Sequence, residues 1–212
     1  TSFYLGAKSV CPDVQMKVQF TGSWYDEKEE KTAAEALIMA GCDLISQHAD
    51  SMGAPTACET AGVPNVSYNG STVAACPNTF IVSSRINWAP YFEYIIGCMV
   101  NGEAIAADWT GTIADGSVEL SAVNEQAAAP GTVEKIEEVK AGLADGTIKV
   151  YDTATFTVAG APLTSYLADV DDMGDFVGET EVVIDGEFAE SEFRSAPYFD
   201  INIDGITLPE GM

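Results

Sequence analysis

The sequence predicts an α/β fold built on a doubly wound, mainly parallel sheet. Three observations carry that reading. Apolar runs of strand length alternate with helical patterns through the first half of the chain. The helical patterns stop at glycines, as at Gly41 and Gly62. The residues just past each strand are polar or aromatic, which is where such sheets hold their ligands.

The opening "TSFYLGAKSV" has helical spacing at Phe3, Leu5, Ala7 and Val10. It has no N-cap ahead of it and no initiating Met, so the chain is expected to be a fragment or processed product. Residues 16–22, "MKVQFTG", predict a buried strand. Residues 25–41 predict a helix, with Asp26 as N-cap and Glu29 three residues on to complete a capping box. Ala33, Ala36, Leu37 and Ala40 form its expected apolar stripe, and Gly41 its stop. Residues 43–48 are the next strand and 51–62 a short helix. Residues 63–69 and 79–84 give two more strands. Residues 88–102 predict a helix with Pro90 in its first turn, where a missing N–H costs nothing.

The second half changes character. Residues 107–124 predict two short strands around an Asp115-Gly116 turn. Residues 129–146 predict an amphipathic helix with Val133, Ile136, Val139 and Leu143 on one face and Gly146 at its end, and 147–152 a strand. The remainder is acidic and turn-rich, with "DVDDMGD" at 169–175 as its most polar run.

Composition excludes several classes. Nine Lys and Arg against 33 Asp and Glu leave a formal charge of −24, which repels nucleic acid and anionic lipid. No apolar run is long enough for a membrane span, and no signal peptide is visible. The five cysteines lack the close pairing of zinc or iron–sulfur sites and sit among small or apolar neighbours, as core thiols do; one disulfide with a leftover thiol is the alternative. No Gly-x-Ser-x-Gly elbow, dinucleotide fingerprint or Walker motif is present. The run "DVDDMGD" resembles a calcium loop only loosely, since the ligand order and the closing Glu are missing, and a solvated acidic loop is expected there. Neither a metal nor a cofactor is expected.

The only histidine, His48, lies in "DLISQHADSMGAP", residues 43–55. It could be a base, a metal ligand, a cleft-lining residue or a bystander. Its position at a strand's carboxyl end favours lining a cleft. Equivalent positions after the other strands hold Trp24 and Asp26, then Asn69, then Arg85 and Trp88. The candidate ligand contacts are therefore Trp24, Asp26, Gln47, His48, Asp50, Asn69, Arg85 and Trp88. Flat aromatic faces with a few placed polar groups suit a neutral or weakly polar small molecule.

The stretches "GSWYDEKEEKTAAEALIMAGCDLISQHADS", "VSYNG", "INWAPYFEYIIGCMVNG", "DWTGTIADGSVELS" and "VEKIEEVKAGLADGTIKVYD" resemble the basic membrane protein family, the substrate-binding lipoproteins of ABC importers, purine-nucleoside-binding proteins among them. The resemblance implies two α/β lobes of the type I periplasmic-binding-protein kind that close on a ligand. It makes residues 1–106 the second, ligand-binding lobe, truncated at its N-terminus and lacking its first strand, and 107–212 a return segment with an acidic C-terminal extension. It implies a small, nucleoside-like ligand, an ABC permease as partner, and an extracytoplasmic lipoprotein whose anchor and first lobe precede Thr1. Trp24 matches the aromatic that stacks on a base. The family's ribose-gripping carboxylate falls at Asn69, an amide that accepts on one side and donates on the other, which weakens a riboside ligand. A ligand-sensing module of the same fold, and an enzyme, are the alternatives. Self-association through an open sheet edge is a further expectation.

Overall fold

The computed structural model describes residues 1–171, 174 and 176–209, so part of the acidic run 169–175 lies outside the described residues. The helices are α1 (Ser2–Val10), α2 (Glu27–Met39), α3 (Gly53–Ala61), α4 (Ala89–Asn101) and α5 (Thr132–Ala144). The first strands are β1 (Met16–Lys17), β2 (Ile45–Ser46), β3 (Asn65–Tyr68), β4 (Phe80–Ile86) and β5 (Val118–Leu120). The later strands are β6 (Thr157–Val158), β7 (Ala161–Pro162), β8 (Leu167–Ala168), β9 (Thr180–Glu181), β10 (Val183–Ile184), β11 (Glu187–Phe188) and β12 (Ile206–Thr207). No described helix is long and apolar enough to cross a membrane. The chain divides into two units, one holding Thr1–Met16, Glu93–Thr110 and Gly146–Thr207, the other built on Lys17–Phe92 and Gly111–Asp145.

The second of these units carries the α/β lobe. Its sheet runs β2-β3-β4-β5, with β2, β3 and β4 parallel and β5 antiparallel to β4. The helices α2 and α3 cover the β2 end. Ala34, Ile45, Ala54, Ala57 and Cys58 are buried there, with Leu37, Ile38, Cys42 and Val63 packed around them. The small residues of α3 let it lie close to α2, so little apolar volume is needed to close this corner. All five cysteines are free thiols, and Cys58, Cys76 and Cys98 are buried.

Local signals and structure agree at the helix ends. Asp26 caps α2, its Oδ1 accepting from the Glu29 N–H at 3.0 Å. Gly41 takes φ +83 after the last turn, donating to Ile38, while Cys42 donates to Leu37. The reciprocal arm of the capping box is corrected: Glu30, not Glu29, reaches back to the Asp26 N–H, at 2.8 Å. The apolar stripe is also rotated. Glu30, Ala33, Ala34, Leu37 and Ile38 turn inward, whereas Ala36 and Ala40 are exposed.

Three predicted strands differ. Within residues 16–22 only Met16–Lys17 is a strand, paired with β12 rather than with β2, and Phe20 is exposed. A strand is realised only where another lies alongside to take its N–H and C=O groups, and residues 18–22 are separated from β2 by a cavity. In 107–124 only Val118–Leu120 is a strand, and it pairs with β4 instead of forming a local hairpin. Asp115 explains this: its carboxylate accepts from the Thr112 and Ser117 N–H groups and closes a compact turn. Residues 147–152 form no strand beyond a single bridge from Asp152 to Glu187, and Ile148 and Val150 stay exposed.

The other unit is a set of small hairpins on aromatic cores. Tyr4 and Leu5 of α1 are buried with Phe156 and Ile203, and Ala168, Val182, Phe188 and Tyr198 form a second cluster. The β10–β11 hairpin turns at Asp185 and Gly186, with φ of 50 and 81, the mirror-image turn geometry that matches strand twist.

Candidate functional site

Because β2, β3 and β4 are parallel, their carboxyl ends lie along one edge of the sheet. Side chains and backbone stitch these ends together. The His48 ring stacks on Tyr68, with centroids 5.3 Å apart and planes at 17°. The Asn69 N–H donates to the Ser84 carbonyl at 2.6 Å, and the Asp50 N–H to the Trp24 carbonyl at 2.8 Å. Asn69 holds φ +69. That left-handed conformation suits the short amide, which tolerates it better than most side chains.

A cavity of about 560 Å³ adjoins this edge, within the size range of small-molecule sites. Trp24, Gln47 and His48 line it together with Ser23 and Ala49, and Val18, Phe20, Ala33, Leu37 and Ile45 supply apolar wall. Trp24 is 78% exposed, so its indole face is open to a ring that would stack on it. Gln47 is held by its backbone, whose N–H donates to the Val66 carbonyl. Its Nε2 reaches the Ser51 carbonyl at 3.4 Å, and its buried Oε1 has no partner among the described residues.

Sequence reasoning brings together some of these residues and not others. Trp24, Gln47 and His48 share the cavity, and Asp50 is fastened to Trp24 through the backbone. Asp26 is half-buried and occupied as a helix cap. Asn69, Arg85 and Trp88 stand at the β3 and β4 ends but do not line the cavity. Arg85 is paired across the β4–β5 ladder with Glu119 at 3.0 Å, in a half-exposed bridge of small energetic weight. Trp88 is exposed and meets Tyr91 edge-on at 6.3 Å.

Glu30 and Ser51 were not among the candidate contacts, yet both are almost fully buried beneath this edge. A signal existed for Glu30: it is a carboxylate four and seven residues ahead of Ala34 and Leu37, on the inward face of α2. In the other unit, Asp169, Asp171 and Glu179 bring carboxylate oxygens within 4.8 Å of one another. Acidic side chains gather at the surface of so acidic a chain without an ion, and no metal role is assigned to them.

Comparison with known proteins bears on the same region. Residues 1–153 match the family described as ABC transporter substrate-binding protein, PnrA-like. A purine-binding protein of Brucella abortus is 30% identical over 188 residues, 81% of this chain and 53% of that protein. This chain therefore spans about half the length of that relative. Metabotropic glutamate receptor-like protein M of Dictyostelium discoideum is 33% identical over 110 residues, 48% of this chain and 14% of that protein. Among solved structures, an ABC transporter solute-binding protein of Conexibacter woesei superposes with a TM-score of 0.57 at 18% identity, covering 69% of this chain and 49% of that one. The last likeness speaks to the fold alone.

Proposed function

Because the chain belongs to the PnrA-like family of ABC transporter substrate-binding proteins, we propose that it supplies one wall of a ligand cleft in a solute-binding component of an importer. The ligand is a small heteroaromatic solute of the purine or nucleoside class. The observation that carries this reading is the meeting of the open Trp24 face with Gln47 and His48 in the wall of one cavity. A purine suits that wall: it has a flat ring to stack on Trp24 and ring-edge donors and acceptors for polar side chains beside it. The purine-binding relative supports the same class. Asp50, Asn69, Arg85 and Trp88, which stand outside the cavity lining on the same sheet edge, are the further contacts on this reading, with the Asn69 amide favouring a base over a ribose hydroxyl pair.

The mechanism is closure, not chemistry. A ligand on this wall gains further contacts from an opposing lobe, and the closed population rises. The proposed ligand wall belongs to the unit built on Lys17–Phe92 and Gly111–Asp145. On this reading an opposing lobe, a strand beside β2 and a lipid anchor outside the cytoplasm are supplied by sequence outside these 212 residues. With half the contacts, the isolated 212 residues bind purines weakly or not at all. A thermal-shift screen of the longer protein with adenine, inosine and glucose tests the reading. Selective stabilisation by a purine supports it. Sub-micromolar nucleoside affinity in the isolated chain, or stabilisation by glucose alone, overturns it.

A second reading keeps the fold and the wall but places them in a sensor. The receptor-like relative favours it, since a comparable module there is part of a much longer chain. A membrane helix or signalling segment in the same reading frame would decide for it.

A further inference from the structure

We infer that Glu30 is a positioning residue whose buried carboxylate fixes the spacing between the Trp24–Asp26 loop and the His48–Asp50 loop. Glu30 is 2% exposed. Its Oε1 accepts from the Asp26 N–H at 2.8 Å. Its Oε2 accepts from the Ser51 N–H at 3.1 Å and from the Ser51 hydroxyl at 2.5 Å. Ser51 is 1% exposed, and its Oγ in turn accepts from the Gly53 N–H at 3.1 Å, at the first residue of α3. One carboxylate thus joins the start of α2 to the approach to α3.

Two features separate this role from ordinary helix capping. Helix α2 already has its cap in Asp26, which takes the Glu29 N–H. The second oxygen of Glu30 is spent entirely on the other loop. No salt bridge to Glu30 occurs among the described residues, so its acceptor oxygens are satisfied by N–H and O–H donors near two helix N-termini, where negative charge is favoured. A buried carboxylate is a costly choice in a small corner core. It is matched here because three donors from two segments converge on it. The same two segments are also joined by the Asp50 N–H to Trp24 carbonyl bond, 2.8 Å long, which depends on their spacing. Glu30 also reaches the cavity wall beside Trp24 and Gln47.

The consequence for ligand binding rests on the reading of these loops as cleft walls. The spacing role does not, and the two are tested apart. Amide hydrogen exchange is measured on the 212-residue chain for wild type, Glu30→Ala, Glu30→Gln and Ser51→Ala. In Glu30→Ala the Asp26, Asp50 and Ser51 amides exchange about tenfold to hundredfold faster, the scale of a lost buried acceptor. The Asn65 and Ser83 amides in β3 and β4 keep their rates. Glu30→Gln restores part of the protection, because its single amide oxygen serves one of the two N–H groups. If Glu30→Ala does not fold, Ser51→Ala reads the same loop by removing only the hydroxyl. Uniform acceleration across all amides would make Glu30 a general stability residue and overturn the inference, as would unchanged exchange at Ser51 and Asp50. If the loops loosen as expected but no purine binds the longer wild-type protein, the spacing role stands and the ligand reading falls.

Discussion

Replacing Gly53 by Ala sets two effects against each other, and the structure decides the sign. Gly53 opens α3, and a helix position gains about 1 kcal/mol when Gly becomes Ala. A Cβ at Gly53, however, would lie 2.2 Å from the Glu27 carbonyl oxygen and 2.9 Å from the Lys31 N, both backbone atoms of α2. Backbone cannot rotate away as a side chain can, so α3 must shift off α2 and open the Ala34, Ala54, Ala57 and Cys58 corner. Overpacking of this kind costs about 1–3 kcal/mol, and loss of corner contacts adds to it. The net expectation is a destabilisation of about 2 kcal/mol, or a fall of about 4–8 °C in melting temperature for a chain of this size. Urea unfolding followed by circular dichroism measures it. A Gly53→Ala protein as stable as wild type, or more stable, would refute the close α2–α3 approach and the loop geometry built on it.

Other perturbations follow from the same geometry. Asn69→Ala should cost about 1 kcal/mol while Asn69→Gly is neutral, because φ +69 is strained for a side chain that cannot bond locally; equal stabilities would contradict this. Burial pushes the Cys58 thiol up to about 11, with the neighbouring Cys76 adding to the shift. Cys58 should therefore resist iodoacetamide at neutral pH until the chain unfolds, whereas exposed Cys11 labels at once, as peptide mass spectrometry would report. Desolvation pushes the Glu59 carboxyl up, but hydrogen bonds from Asn78 and Thr79 outweigh it and hold it below its ordinary value. A lowered folded value means stability present above the ordinary carboxylate range and lost as pH falls through the folded value. Glu59→Gln should flatten that acid limb of the stability curve, and an unchanged limb would show that the contact contributes nothing.

What the sequence revealed depended on how local the governing contact is. The Asp26 cap and the Gly41 stop are decided within one turn, and both are where the residues place them. The parallel pairing of β2, β3 and β4 follows from strands alternating with helices, so the shared carboxyl edge of the sheet was also readable. The phase of α2 was not, because alanines at 33, 34, 36 and 40 make several faces look alike and only tertiary packing selects one. The stripe choice concealed Glu30. Strand pairing was least legible: "MKVQFTG" has the pattern of a buried strand, but pattern says nothing of what lies beside it. Val118–Leu120 pairs with β4, more than thirty residues away, in preference to its neighbours because the Asp115 turn leaves it free to do so. Within the site, Trp24, Gln47 and His48 could be grouped by their places at strand ends, but the Glu30–Ser51 link spans 21 residues and leaves no sequence signature.

Calorimetric titration of the longer protein with adenine, comparing wild type with Trp24→Ala, tests the purine wall most directly. Stacking of a base on an aromatic side chain is worth about 1–3 kcal/mol, so the substitution should weaken a saturable one-site interaction by about fivefold to 150-fold. Adenine bound with equal affinity by wild type and Trp24→Ala, or not bound by either, would contradict a purine wall at the carboxyl ends of these strands.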